Sequence, residues 1–488
     1  MEHRTAYLCI HGHFYQPPRE DPFTGKVPPE RGAEPFANYN EKITAECYAP
    51  NARARNFAHI SFDIGPTLAA WLEKAHPDIY ALIIASDRES VIRDGVGAAM
   101  AQAYNHTILP LASARDKRTQ IRWGLTDFAH RFGRPAEGMW LAETAVDIET
   151  LDILAQEGVR FTILAPWQAA QPVETGQPYR VELLEGRTIT AFFYQGPLSG
   201  AVSFDRETTA NADTFAHQLG NYLPRLYPEP GEPTDDQVVF IATDGELYGH
   251  HKEWRDAFLT RLVQSSAAAA GFELTTPARY LLTHPATQTV ELALPSAWSC
   301  SHGVARWSTG CACTEGNSEW KPALRAALTH LGGRLDATFE RVTATTLSDP
   351  WAARDDYISV RSCWLSEMAF WACHGIGHAA PRDDAARKAT LDLLEAEYFG
   401  QAMSTSCGFF FEDLDRIEPR NDIAFARRAI SLVWQATGED LQSDFVADLA
   451  LARSDVSGRT GAQIYRALPA EADSVLPSLA PESDESAA

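Results

Sequence analysis

Up to about residue 282, short apolar runs alternate with segments of helical periodicity, the signature of βα units. The unit drawn most sharply starts at GMWLAE (138–143), passes through a helix from about Asp147 to Gln156, and returns in VRFTILAP (159–166). Asp147 suits an N-cap and Gly158 a C-terminal stop. Further strands are predicted at 6–10, 80–85, 188–194 and 238–242, spaced as a parallel α/β sheet or barrel spaces them.

From about residue 283 the period changes. Leu324, Leu328, Leu331, Leu335, Phe339 and Val342 recur at steps of three and four, which predicts a long amphipathic helix. Similar patterns run over 385–403 and 423–437, the latter opened by Asn421-Asp422 and stopped at Gly438. The expected organisation is a barrel-like domain over 1–282 and a helical bundle over 283–468. A disordered acidic tail, rich in Ser, Ala and Pro, is expected over 469–488. PRLYPEPGEPTDD, around 224–236, reads as an exposed loop, and no internal repeat is present.

Composition narrows the partners. The chain has 488 residues, 45% of them hydrophobic, enough for a sizeable core and for two or three domains. Its 42 basic and 65 acidic residues give a net charge of −23, and no basic cluster could follow a phosphate backbone, so nucleic acid is not an expected partner. The N-terminus lacks an apolar core of signal-peptide length and no segment approaches the ~18 apolar residues of a membrane span, which predicts a cytoplasmic protein without membrane contact. Its eight cysteines are spread too thinly for a disulfide scaffold, so reduced thiols are expected.

The working residues of a parallel α/β barrel sit where strands end, because only there do side chains from many strands converge on one open face. His11 follows AYLCI, Glu143 follows GMWLA and Asp244 follows VVFIAT. A carboxylate at the end of a buried strand is costly unless it is paired or put to use, so each acid alone suits a salt bridge as well as catalysis. Two on one face are the minimum equipment of a glycosidase. Rival signatures are missing: the chain has no GxSxG elbow, no P-loop and no GxGxxG opening a helix after a strand. Aromatic side chains crowd the same segments, Trp140 and Tyr248 among them, and can stack on sugar rings or simply fill core.

Two metal readings stay open from the residues alone. In HGH (11–13), alternate residues of an extended segment point the same way, so His11 and His13 could both ligate zinc, as in metal-dependent deacetylases or mannosidases. ISFDIGP (60–66) partly resembles the TFDDG strand of the deacetylases, but Ile64 stands where the second Asp would be. Cys300, His302, Cys311 and Cys313 place four potential ligands within fourteen residues. The alternatives there are reduced thiols in a packed loop, or a disulfide.

HGHFYQP (11–17), NHTILPL (105–111), GMWLAE (138–143) and ATDGELYGHH (242–251) resemble, in order, the spaced motifs of glycoside hydrolase family 57. YNEKITAECYAPN (39–51), SFDIGPTLAAWL (61–72), SCSHGVARW (299–307) and TSCGFFFEDLDRIEP (405–419) extend the likeness to the subgroup with a helical C-terminal domain of uncharacterised function. The resemblance implies a distorted (β/α)7 barrel followed by helices that complete the cleft. It also implies a retaining, cofactor-free enzyme acting on α-linked oligo- or polysaccharides, by hydrolysis or by transfer. Glu143 would be the nucleophile and Asp244 the general acid/base. His11, His13 and Gln16 would hydrogen-bond the sugar, with His106 and Glu246 beside them. Trp140 and Tyr248 would stack on it, and His302, Trp307 and Asp413 would reach the same substrate from the later segments. NHTILPL departs from the family pattern, which often carries an acid there. A non-catalytic carbohydrate-binding protein is the remaining alternative.

Overall fold

The computed structural model describes residues 5–223, 236–469 and Leu476. Its organising element is β1 (Ala6–Phe14), buried from Leu8 onward. The strand runs through HGHF instead of stopping at Ile10, because the imidazoles of His11 and His13 find hydrogen-bond partners on the neighbouring strand and can be buried there. The other strands are β2 (Ser61–Ile64), β3 (Ala99–Gln102), β4 (Met139–Trp140), β5 (Phe161–Leu164), β6 (Pro178–Glu182), β7 (Thr188–Phe193), β8 (Gln237–Asp244), β9 (Phe272–Thr275) and β10 (Gln288–Thr289).

Parallel pairing gives the order β4-β3-β2-β1-β8, with β5 parallel to β7 in a second sheet. An isolated parallel bridge, Gly138 to Phe161, joins the β4 and β5 segments. The amide of Gln195, just after β7, donates to the Phe240 carbonyl of β8 at 2.7 Å. The circuit β1-β2-β3-β4-β5-β7-β8 is therefore a wall of parallel strands, a (β/α)7 barrel distorted where ladders give way to isolated contacts. β1 itself changes neighbour: Ala6–Cys9 pairs with β9, while His11–Phe14 pairs with β2.

Period-two alternation sorts the side chains. Leu8 and Ile10 of β1, Phe62 and Ile64 of β2, and Val239 and Ile241 of β8 join a large core cluster that also takes in residues of the flanking helices. Cys9, Trp140, Phe161, Ile163, Phe192, Phe240 and Ala242 form a second, inner cluster. His11, His13 and Asp244 continue the inner parity of Cys9 and Ala242 toward the C-terminal ends of the strands.

Helix Ile148–Gln156 begins as expected, with the Asp147 side chain accepting from the Thr150 amide. The expected strand at 80–85 is instead part of helix Pro77–Asp94, which opens on Pro77 and is closed by Gly95 in the left-handed region. Among the described residues, no helix is long and apolar enough to cross a membrane.

The chain divides into two compact units, Val27–Val304 with the described residues up to Arg19, and Glu20–Lys26 with the described residues from Ala305 onward. The boundary expected at 282/283 therefore falls too early. Residues 283–304 lose strand-and-helix periodicity but still belong to the barrel unit, where β10 pairs with β6, Leu292 bridges Ala169 and Ser296 bridges Val146. Glu20–Lys26 groups with the helical unit, in which the guanidinium groups of Arg427 and Arg428 lie over the Phe23 ring.

The helical unit contains Trp320–Thr343, Asp384–Ala402 and Ile417–Thr437, with Asp384–Ala402 packed against both of the others. The last of these starts before the expected Asn421-Asp422, with Pro419 in its first turn, and ends at Gly438 as expected. The loop expected at 224–236 and the tail expected at 469–488 lie outside the described residues, except for Asp236, Pro469 and Leu476.

Candidate active site

Pairing register brings three polar residues onto one rung at the C-terminal end of the barrel: His13 of β1 lies opposite Asp63 of β2 and opposite Asp244 of β8. Asp63 is fully buried and accepts three hydrogen bonds: from His11 Nε2 at 3.0 Å, His13 Nδ1 at 2.8 Å and Gln102 Nε2 at 2.8 Å. Burial alone would raise its pKa, but the adjacent His13 charge and the two imidazole donors hold it below the ordinary carboxylate range. Asp63 is therefore an anion, and both imidazole nitrogens facing it carry protons.

The histidines then separate by environment. Burial lowers the pKa of His11, so it is neutral, and its Nδ1 accepts from the Ser61 hydroxyl at 2.9 Å. Burial works against protonation of His13 too, but the Asp63 carboxylate, with Asp244 and Glu246 adding to it, lifts the pKa to about 9. His13 is an imidazolium at neutral pH, and its Nε2 donates to His106 Nε2 at 3.2 Å. Burial and the His13 charge push the pKa of His106 far down, which suits an acceptor. The rings are stacked: Trp140 lies 4.8 Å from His11 and 5.0 Å from His13, and Tyr15 lies 3.8 Å from His106.

Glu143 sits in the turn just after β4, with φ 57° and ψ 20°. Its Oε2 accepts from Trp298 Nε1 at 3.0 Å and from Ser299 Oγ at 2.7 Å, while its carbonyl accepts from the Trp298 amide at 3.0 Å. Burial raises its pKa, the Ser299 and Trp298 hydrogen bonds oppose that shift, and the Asp244 charge adds to it. The two carboxylates thus act on each other electrostatically. Asp244 ends β8 as its one exposed residue. Two residues on, buried Glu246 accepts from the Tyr48 hydroxyl at 2.7 Å and from the Tyr15 amide at 3.0 Å. Burial, reinforced by Asp244, raises its pKa to about 7 against the Tyr48 hydrogen bond.

His11, His13, His106, Trp140, Glu143, Asp244 and Glu246 are therefore brought together in the barrel unit. Gln16 is buried close by, its Oε1 accepting from Arg19 at 3.1 Å. Tyr248 is not part of this constellation: its ring belongs to the buried core outside the inner cluster. In the helical unit Trp307 is fully buried and its carbonyl accepts from Arg325. Asp413 is committed to a local loop, accepting from the Ser454 hydroxyl at 2.8 Å and the Val456 and Asp415 amides. These three were singled out as aromatic or acidic residues inside suggestive motifs, and packing claims each of them. His302 is exposed and Cys300 buried in the barrel unit, while Cys311 and Cys313 are half-buried in the helical unit.

Asp63, Gln102, Tyr48, Trp298 and Ser299 join this constellation, and sequence reasoning missed them. Asp63 had a signal, because SFDI places it two residues after Ser61 on an inward parity. Trp298 and Ser299 carry no local signal, since they meet Glu143 across 155 and 156 positions of chain.

Parallel barrel, inward imidazoles and two carboxylates at strand C-termini define a barrel protein with a polar, acid-bearing site. The chain belongs to glycosyl hydrolase family 57, whose family description it matches over residues 23–293, and residues 317–480 match a domain of unknown function, DUF3536. Solved structures share the fold. An exo-type maltose-forming amylase from Pyrococcus sp. ST04 superposes with a TM-score of 0.72 at 15% identity, covering 91% of this chain and 82% of that one. A family 57 branching enzyme from Thermococcus kodakaraensis gives 0.59 at 15%, covering 98% and 100%. A 4-alpha-glucanotransferase from Thermococcus litoralis gives 0.55 at 16%, covering 89% and 59%. No curated protein sequence matches.

Proposed function

We propose that the protein is a retaining α-glycoside hydrolase or transglycosylase acting on α-glucan or related α-linked oligosaccharides. The observation that carries this reading is the unequal pair of acids: Glu143, clamped through one oxygen by Trp298 and Ser299, and Asp244, exposed on the rung of His13. Membership of family 57 supports it, as does the company of its structural neighbours, an amylase, a glucanotransferase and a branching enzyme.

Glu143 Oε1 attacks the anomeric carbon while the bond from that carbon to the leaving oxygen breaks, and Asp244 gives that oxygen its proton. Water or a sugar hydroxyl then attacks the same carbon, passes its proton to Asp244 and releases Glu143. His13 contributes a fixed positive charge with its Nε2 and Nδ1 donors already engaged, and neutral His11, its two nitrogens taken by Asp63 and Ser61, holds the Asp63 carboxylate that sustains that charge.

The test is product analysis on a panel of α-glucans and shorter α-glycosides, with anomeric configuration followed by NMR. The α-anomer should appear first, and Glu143→Gln should abolish turnover. First release of the β-anomer, or equal activity of wild type and Glu143→Gln, would overturn the proposal.

A further inference from the structure

We propose that Trp167 is the aromatic platform on which the leaving or acceptor sugar stacks, favouring a sugar over water on the Asp244 side of the scissile bond. Trp167 lies in the turn Pro166–Gln168 directly after β5 and keeps 52% of its surface exposed. The order of the barrel wall places it. Glu143 follows β4, Trp167 follows β5, Tyr194 follows β7 and Asp244 ends β8. The two aromatic residues therefore take one arc between the acids, while His11 and His13 on β1 and His106 after β3 take the other. In the double displacement proposed above, on which this assignment rests, Asp244 meets the oxygen that joins the attacked sugar to the leaving one. Burial and the neighbouring Asp244 charge push the Tyr194 pKa up, and the Tyr194 ring stands edge-on to Trp167 at 6.0 Å, which puts both aromatics on the Asp244 side.

The indole is fixed before any sugar arrives. Its Nε1 donates to the Ala297 carbonyl at 3.2 Å, and Ala297 precedes Trp298, which holds Glu143 Oε2. Gly196 leaves room for the turn, since a Cβ there would stand 3.0 Å from Pro166 Cγ and 3.4 Å from Trp167 Cζ3. Buried Gln168, next in the chain, accepts from the Thr144 hydroxyl at 2.8 Å and donates to the Thr144 carbonyl at 2.9 Å, one residue past Glu143. Platform and nucleophile thus share one scaffold. A side chain held this way gives up little rotamer freedom on binding, and its open aromatic surface suits the apolar face of a pyranose. Water has no such face, so the stacking favours attack by a sugar hydroxyl.

Two substrates separate stacking from a merely structural role. Maltohexaose carries a sugar on the leaving side, whereas α-maltosyl fluoride loses fluoride when Glu143 attacks and places no sugar there. Trp167→Ala should raise KM for maltohexaose about tenfold more than KM for α-maltosyl fluoride. With α-maltosyl fluoride as donor and glucose as acceptor, the ratio of transfer to hydrolysis products should fall by about the same factor. Trp167→Phe, which keeps a ring and loses the indole donor, should recover most of both differences. If Trp167→Ala does not fold, Trp167→Leu serves for the same comparison. Equal losses on the two substrates, or a transfer ratio that the substitution does not move, would defeat the assignment and leave the glycosidase reading standing. A wild type that turns over neither substrate would defeat both.

Discussion

The barrel unit and the helical unit both bury charged groups, but they use them differently. In the helical unit Arg354 is fully buried, its guanidinium 2.8 Å from Glu397 and 4.7 Å from the Trp351 ring centre. Asp422 accepts from Thr405, and Gly408 leaves the room its carboxylate needs, since a Cβ there would lie 1.9 Å from Oδ2. Arg354 and Glu397 pair with each other there, and burial pushes the Asp422 pKa well above the ordinary carboxylate range. In the barrel unit Asp63, His13 and His106 form an equally buried relay, yet it rises along one rung to exposed Asp244. Buried charge by itself therefore marks no site, and the informative feature is a buried network that ends on an accessible group.

Four substitutions separate the two cases, in descending order of effect. Asp244→Asn should lower kcat by about 10²–10⁴-fold with the melting temperature unchanged, measured by glucan turnover and calorimetry. Arg354→Ala leaves Glu397 buried beside an apolar gap and should cost about 3–5 kcal/mol, seen as a fall in melting temperature of roughly 10 °C. Activity at a temperature where the variant is folded should be retained.

Asp63→Asn tests the relay through pH. The folded pKa of His13, about 9, lies above its ordinary value of 6.5, so its stabilising contribution is complete below 6.5 and is lost as pH rises through 9. Wild-type stability should decline over that window, and the variant should lose most of the slope in chemical denaturation followed against pH. Glu246→Gln should have the smallest effect. The Glu246 pKa is raised to about 7 from 4.5, so folding works against its ionisation and wild-type stability falls as pH rises from 4.5 to 7. The glutamine variant should be flatter across that range.

The same contrast explains what was legible in the sequence. Glu143 and Asp244 could be found because a strand followed by an acid is a local pattern, and the barrel class followed from the alternation of periods. YALIIA (80–85) was misread as a strand because it is a short continuous apolar run, while the signals that decided the helix lie outside the run, at Pro77 and Gly95. Tyr248 packs in the core and Asp413 accepts from Ser454 and two loop amides, placements no sequence pattern reveals, since none tells a carboxylate capping a loop from one facing solvent. Trp298 and Ser299 were invisible because their partner, Glu143, is fixed by tertiary contact alone.

The left-handed backbone of Glu143 carries a consequence for how this position can change. A non-glycine residue held there costs about 1–3 kcal/mol, so stability and chemistry pull in opposite directions at one Cα. A library randomised at 143 and screened for heat resistance should drift toward glycine or asparagine, whereas one screened for turnover should return glutamate alone.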